Sequence, residues 1–467
     1  MSPHLLLLLA YSVLLIAIGV FLGRSVRSTS TFFVADRRLG AGLLFSTLLA
    51  ANIGAGSTVG ATGLGYRDGL AAWWWVGSAG LGSLLLGFWV GPRMWREATR
   101  HGFLTVGDFL ELRYGRAVRG VLAALLWVGT LAILASQLIA MSWVLQVVAG
   151  LPKYAGCLIG GVVMTTYFTL GGLLSSAWVN LVQLVVLLCG FAVTLPLALS
   201  GAGGWSAVAA ALPAGHLSFW QGGSSGWTLL ALLGPAFVIS PGLLQKVYGA
   251  RDERAVRMAV AANAVALLIF AFIPPLLGLI ARAQHPSLDN QELALPLLLT
   301  RDLPLAVGSL GLAAIFSAEV STADAILFML ATSLSQDLYR RFINPGASEA
   351  RVLAVARGAA LGGGILGVAL ALWIPTVIEG LSIFYALLGV SLFVPLVAGL
   401  HTQRAGAPEA LASIVAGVAT MLAVRLATGG SGFGPLTPNL LGLAAAALGF
   451  GCVALARARK ESAVHAR

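Results

Sequence analysis

The chain has 467 residues, 58% of them hydrophobic and only 10% charged, with a mean hydropathy of +0.93. A soluble globular domain carries about 25% charged residues, so this composition excludes that class and predicts an all-α polytopic membrane protein. The net charge of +11 would by itself suit nucleic acid, but the placement of the cations assigns it to topology instead.

Apolar stretches of roughly 20 residues can each cross about 30 Å of hydrocarbon. They fall at 4–23, 40–66, 71–92, 120–149, 155–173, 177–200, 227–245, 258–281, 304–334, 358–377, 381–400, 410–428 and 440–456. This predicts about 13 transmembrane helices in a single membrane domain over 1–467, with no long soluble segment. When the loops are assigned alternately to two sides, all but five of the 28 Lys and Arg fall on one side. The exceptions are Arg67, Lys153, Arg282 and Arg301 on the other side and Arg425 within a span. The positive-inside rule makes the rich side cytoplasmic, which places the N-terminus outside and the C-terminus inside the plasma (inner) membrane. The first span has its cations, Arg24 and Arg27, behind it rather than ahead of it, and reads as an outside-to-inside crossing rather than a secretory leader. The expected partners are therefore the lipid bilayer and a small solute. No nucleic acid is implied, and no obligate protein partner is evident.

Two spans carry breaks. The first, 40–66, is interrupted at mid-depth by Asn52, Gly54, Gly56 and Ser57, and the second, 227–245, by Gly234, Pro235, Pro241 and Gly242. Free backbone N–H and C=O groups cost several kcal/mol each in hydrocarbon, so a break persists only where it is buried in protein or lines a polar cavity. Taken as the first helices of equivalent units, the breaks divide the chain into repeats at 40–200 and 227–400 with five spans each. An odd number of crossings inverts one unit relative to the other and sets a pseudo-two-fold site near the midplane. An extra helix at 4–23 precedes the pair, and two more occupy 410–456.

The 304–334 span holds the other polar signal, Ala318-Glu319-Val320-Ser321-Thr322-Ala323-Asp324. Ala318, Ser321 and Thr322 stand at i, i+3 and i+4 on one helix face. Two hydroxyls there are hard ligands for a small cation, whereas Zn or Cu would want His or thiolate. The bland alternative is back-bonding to carbonyls of their own or a neighbouring helix. Glu319 and Asp324 are the acidic residues that this topology buries within a span, and intramembrane carboxylates are functional candidates by default. Asp324 biases the Ser321 face toward cations. Glu319 points away and is expected to pair structurally, with Arg425 as the candidate.

Together these segments resemble the sodium:solute symporter family. The resemblance rests on FFVADRRLG before the first break, AANIGAGSTVGATGLGY at the break, TVGDFLELRYG, GGLLSSAWVNLVQ and SAEVSTADAILFMLATSLSQDLYRR, and covers roughly residues 5–400. It implies a five-plus-five inverted repeat of the leucine-transporter class with flanking helices. It also implies Na+ as coupling ion, held by the carbonyls of Ala50, Ile53 and Ala318 and the hydroxyls of Ser321 and Thr322. Where the family often has an Asp two places after the Trp of GGLLSSAWVNLVQ, this chain has Asn180, which favours one Na+ per solute. Sugar-binding members have polar side chains at the positions of Ser57 and Val76 and Asn at Ser240, so sugar is disfavoured.

The pocket candidates are Gly56 and Ser57 at the first break, Trp75 with its neighbours Trp73 and Trp74, Ser240 at the second break, and Tyr385. The alternative for the tryptophans is an interfacial aromatic belt. Free N–H groups at half-helix ends suit an amino acid or small carboxylate. The rivals are a proton-coupled porter of the same fold, with Asp324 or Glu319 as carrier, and a transporter-like sensor. An enzyme is not expected, because the six histidines are scattered without ligand spacing. The three cysteines, Cys157, Cys189 and Cys452, read as buried small hydrophobes.

Overall fold

The computed structural model describes residues 3–23, 34–169, 173–220 and 225–465. Arg24, Arg27 and the first residues of FFVADRRLG and of GGLLSSAWVNLVQ lie outside the described residues. Helix α1 (Pro3–Gly23) leads to α2 (Ala41–Asn52) and α3 (Val59–Asp68), the halves of the first interrupted crossing. α4 (Trp73–Leu85) passes through π-type turns at Leu86–Val90 into α5 (Gly91–His101). A short helix α6 (Val106–Tyr114) precedes α7 (Arg116–Ala149), α8 (Lys153–Thr169) and α9 (Leu173–Gly201). The second interrupted crossing is α10 (Ser225–Val238) and α11 (Pro241–Tyr248), followed by α12 (Glu253–Phe270), α13 (Ile273–Gln284) and α14 (Leu305–Thr332, continued in π-type turns to Ile343). α15 (Glu349–Trp373), α16 (Val377–His401), α17 (Ala407–Ala427) and α18 (Pro438–His465) complete the chain. Among the described residues ten helices are long and apolar enough to cross a membrane, and Pro3–Leu15, Ala41–Asn52 and Lys153–Thr165 are shorter apolar helices.

Both breaks follow from local sequence. At the first, α2 stops at Asn52 and Gly54 is extended (φ −133°, ψ −156°) before α3 begins after Thr58. At the second, Ser240 takes ψ 117°, the conformation that the following proline imposes, and Pro241 opens α11 at the position where its missing N–H costs nothing. Gly234 and Pro235, expected to contribute to this break, do not: α10 stays helical through Val238 with Pro235 inside it. One proline deletes a single ladder bond, which a packed helix absorbs. The close approach of α4 to α10 here depends on Gly82, on which a Cβ would lie 2.5 Å from the Gly234 carbonyl oxygen.

The packing exchanges the two halves. α4 packs on α10 while its counterpart α12 packs on α2; α9 packs on α14 while α16 packs on α7; α8 lies on α7 as α15 lies on α14; and α3 meets α13 as α11 meets α5. Every pair maps onto its partner when the first unit is swapped for the second, as an inverted repeat requires. The flanking helices α17 and α18 pack on each other and on α16, and α1 packs on α14.

Both faces are bridged by hydrogen bonds around the breaks. On the arginine-rich face, Leu39 and Arg251 donate N–H groups to Gly249 (2.9 Å) and Leu39 (3.0 Å) carbonyls, so the chain entering α2 is bonded to the chain leaving α11. Arg37 adds bonds to the carbonyls of Tyr248, Ala98 and Phe103. Nearby, the Arg119 guanidinium reaches Asp108 at 2.9 Å, Glu111 at 2.8 Å and Asp337 at 2.6 Å, locking α6 and α7 to the end of α14. Burial would raise the Glu111 carboxyl, but Arg341 and Arg119 hold it below its ordinary value. On the opposite face Tyr66 donates to the His285 carbonyl (2.6 Å) and Leu70 N–H to His216 (2.8 Å). Glu292 accepts from Trp143 Nε1 (2.9 Å) and Val377 N–H (2.8 Å), joining α7 to α16.

Two sequence expectations are corrected here. Cys157 is buried, but Cys189 and Cys452 are exposed on helix surfaces. An apolar run fixes that a residue crosses the bilayer, not whether it faces protein or lipid.

The α3–α13 seam is a close contact between the units. A Cβ on Gly278 would sit 2.3 Å from the Thr62 carbonyl oxygen, and one on Gly65 2.6 Å from Pro275 Cα. Gly278→Ala should therefore force the helices apart at a cost of about 1–3 kcal/mol and lower the thermal unfolding temperature of the purified protein. A melt equal to wild type would show that the seam has slack.

Candidate functional site

The end of α2 leaves carbonyls without helical donors, and α14 supplies them. Ser321 Oγ donates to the Ala50 carbonyl (2.9 Å) and is 3.1 Å from that of Ala318, while Thr322 Oγ1 donates to Ala50 (3.1 Å) and approaches Ala51 at 3.4 Å. Four of the five predicted cation ligands, Ala50, Ala318, Ser321 and Thr322, thus share one cluster, and all are buried. Ile53 lies in the break itself (φ −99°, ψ 95°) with its N–H on Leu49 O, and none of these hydrogen bonds reaches it. The approach of α14 depends on Gly54, where a Cβ would be 2.5 Å from Thr322 Oγ1. Each hydroxyl keeps lone pairs that can turn to a cation when its proton is redirected, so the cluster offers an all-oxygen set suited to a hard ion.

Thr322 also lines a cavity between the two breaks. Its walls include Gly56, Ser57, Trp75, Ser240 and Tyr385, the five predicted pocket residues. The space is tight, with about 60 Å³ open to the centre of a water molecule. Trp75, Phe237 and Phe384 surround Tyr385 with ring centroids 6.3, 5.4 and 5.3 Å away. Ser57 spends its hydroxyl on the Asn52 carbonyl (2.9 Å) and so shapes the break. The tryptophan triplet divides: Trp75 faces the cavity, whereas Trp73 packs on Phe219 and Phe272 and Trp74 donates to the Phe219 carbonyl under the 201–226 connection. Val76 is buried but does not line the cavity.

Three features were not found in the sequence. Gln137 of α7 lines the cavity and accepts the Ala55 N–H at 2.9 Å, satisfying the break from the opposite side. Asn52 donates to Asn263 of α12 at 3.0 Å, tying the break to the second repeat. Lys246 of α11 is buried and donates to Thr47 of α2 at 2.7 Å. A lone amide or ammonium inside an apolar run was the available signal for each. The expected Glu319–Arg425 pair is absent: Arg425 lies 3.9 Å from Glu379, and both Glu319 oxygens are buried without a hydrogen-bond partner among the described residues. Sequence separation gave no measure of the distance between α14 and α17.

A second cavity, toward the arginine-rich face, shares Met329 and Phe384 with the first and is bounded by Thr105, Arg119 and Asp337. Thr105 donates to Asp337 at 2.6 Å, so the Arg119 cluster closes its far end. The two cavities lie between faces that are each bridged by hydrogen bonds. In comparison with known proteins, residues 32–417 match the model of the sodium:solute symporter family.

The chain belongs to the sodium:solute symporter family. It is 31% identical over 460 residues to the sodium/pantothenate symporter of Escherichia coli (strain K12), covering 93% of each chain. It is 25% identical to the sodium/glucose cotransporter of Vibrio parahaemolyticus, over 75% of this chain and 71% of that one. Its fold is that of a Na+-coupled sialic acid symporter in a substrate-bound outward-open state, with a TM-score of 0.81, 17% identity and 97% of each chain covered. This symporter is therefore a multi-pass membrane transporter of small solutes, not an enzyme, with the five-plus-five inverted repeat and flanking helices. Family membership implies sodium as the coupling ion.

Replacing Gln137 by Leu strands the buried Ala55 N–H, at about 1–3 kcal/mol. The variant should unfold several degrees below wild type; an unshifted melt would mean that Ala55 has another acceptor.

Proposed function

We propose that this symporter imports an amino acid or small carboxylate together with one Na+ per solute, by alternating access across the plasma membrane. The observation that supports the reading is the convergence of Ala50, Ala318, Ser321 and Thr322 in one oxygen cluster, of which Thr322 lines the cavity between the two breaks. In this reading Ile53 completes the sodium shell, and Gly56, Ser57, Trp75, Ser240 and Tyr385 contact the solute. The ion clips α2 to α14, fixing the break in the shape that accepts solute. Its differential affinity for outward and inward states sets how much transport it drives. The repeats run over 40–200 and 227–400. The arginine-rich face is cytoplasmic, with the N-terminus outside.

The solute class follows from the lining. Among the described residues no Lys, Arg, Asp or Glu borders the cavity; its polar side chains are Asn52, Ser57, Trp75, Gln137, Ser240, Thr322 and Tyr385. Since α11 begins at Pro241, its first free amides, Gly242 and Leu243, both border the cavity and favour an anionic group. The aromatic cluster suits an apolar body. A sugar would leave several hydroxyls unpaired, which a site rejects strongly. Pantothenate, the solute named for the Escherichia coli relative, is itself a carboxylate. Asn180, where family members often have Asp, supports a single ion.

Counterflow of radiolabelled amino acids, carboxylates and vitamins into proteoliposomes, with and without a sodium gradient, tests the proposal. Sodium-dependent uptake of a member of this panel is expected; uptake driven by a pH jump without sodium would establish the proton-coupled rival instead. The Ser321→Ala/Thr322→Ala variant loses two ligands worth about 1 kcal/mol or more each. It should raise the sodium concentration for half-maximal uptake at least ~10-fold. An unchanged sodium dependence would place the ion elsewhere.

A further inference from the structure

Helices α8 and α15, equivalent members of the two repeats, pack on each other and carry matching sequences. α8 reads Leu158-x-x-Gly161-Val162-x-x-Thr165, and α15 reads Leu361-x-x-Gly364-Ile365-x-x-Val368. The i, i+3, i+4, i+7 spacing puts each set on one helix face, and the contacts respect the pairing. A Cβ on Gly161 would lie 2.5 Å from Val368 Cγ2, and one on Gly364 2.3 Å from Thr165 Oγ1. Because the repeats are inverted, a contact that maps onto itself in this way lies on their pseudo-two-fold axis, near mid-depth in the bilayer. The glycines let the two backbones approach, while Leu158, Val162, Leu361 and Ile365, each more than half exposed, stand up on either side. Between them runs an open apolar groove with about 410 Å³ accessible to the centre of a water molecule.

The two ends of the groove differ in charge. Arg357 stands four residues before Leu361, on the face that carries the groove, and is exposed. Arg119 and Arg341 on the same side of the protein are paired with carboxylates, whereas Arg357 has no ion pair among the described residues, and α8 contains no Asp or Glu to neutralise it. The equivalent position on α8 is the neutral Tyr154, also exposed. At 1.5 Å per residue Arg357 lies about 11 Å along α15 from the middle of the groove, and the hydrocarbon ends about 15 Å from mid-depth. Its stem can therefore follow the groove wall while the guanidinium reaches the headgroup layer. An apolar groove open at this depth offers water no polar partners. A second helix would need small residues on the crests for close packing, and the crests here are Leu, Val, Leu and Ile. We propose that the α8–α15 groove binds one phospholipid from the leaflet on the arginine-rich side, with an acyl chain between the four wall residues and an anionic headgroup held by Arg357 through charge-assisted hydrogen bonds. The lipid bridges the two repeats behind α7 and α14, the helices that supply Gln137 and Ser321 to the first break.

Photolabelling of the purified full-length protein in phosphatidylcholine nanodiscs tests this, using a trace of phosphatidylglycerol or phosphatidylcholine with the same diazirine-bearing acyl chain. Adducts are expected on the peptides that contain residues 158–165 and 361–368, with phosphatidylglycerol labelling them about five-fold more than phosphatidylcholine. Arg357→Gln should equalise the two lipids, and Arg357→Lys should keep the preference. Val162→Trp combined with Ile365→Trp, at positions that are already exposed, should fill the groove and remove the adducts of both lipids from these peptides. Equal labelling of wild type by the two lipids, a preference that survives Arg357→Gln, or adducts that persist in the double-tryptophan variant overturn the proposal. So does a dimer in native mass spectrometry whose groove peptides take up no label, since the occupant is then a second copy of the chain.

Discussion

The architecture depends on one constraint: a backbone carbonyl inside a membrane protein must have a partner. When α2 stops at Asn52, the carbonyls of Ala50 and Ala51 lose their helical donors, and the hydroxyls of Ser321 and Thr322 approach them. That bond pattern requires α14 to lie against the break, which in turn requires a glycine at 54 because any side chain would strike Thr322. Gln137 meets the same demand from α7 at the Ala55 N–H. A defect in one helix thereby organises two others, and the oxygens that repair it are the ones a hard cation can borrow.

The outline of the fold was legible because it is written in long-period features. Span limits follow from hydropathy, and the break at 52–57 was visible as a polar, glycine-rich interruption of an apolar run. The face shared by Ala318, Ser321 and Thr322 follows from helical periodicity alone. What remained hidden depends on which way a helix is turned. Pro235 looked like a breaker but is accommodated within α10, while the real interruption is the Ser240–Pro241 step. Glu319 and Arg425 were matched by charge, yet Arg425 lies nearer Glu379. Gln137, Asn263 and Thr47 are isolated polar residues whose roles exist only in relation to partners 82 to 211 residues away in the chain.

The two faces are closed by different means, and the difference bears on how they open. The arginine-rich face is held by charge: Arg119 with three carboxylates, and Arg37 on three carbonyls. The opposite face relies on a glycine seam, neutral hydrogen bonds and aromatic packing around Trp73 and Trp74. Charged groups take part there too: Lys153 donates to the Ile374 carbonyl at 2.7 Å, His285 lies 2.7 Å from Asp302, and burial raises the Glu292 carboxyl above its ordinary value, although bonds from Trp143 and Val377 oppose the shift. Breaking a buried guanidinium network is strongly unfavourable when its members stay desolvated, so water must enter as the network separates.

The short bridge between Leu39 and the Gly249–Arg251 segment has a mechanical meaning. It yokes the ends of both interrupted crossings, so neither can swing outward alone without tearing two backbone bonds. The door on the arginine-rich face therefore has two leaves hung on one latch, and they part together or not at all.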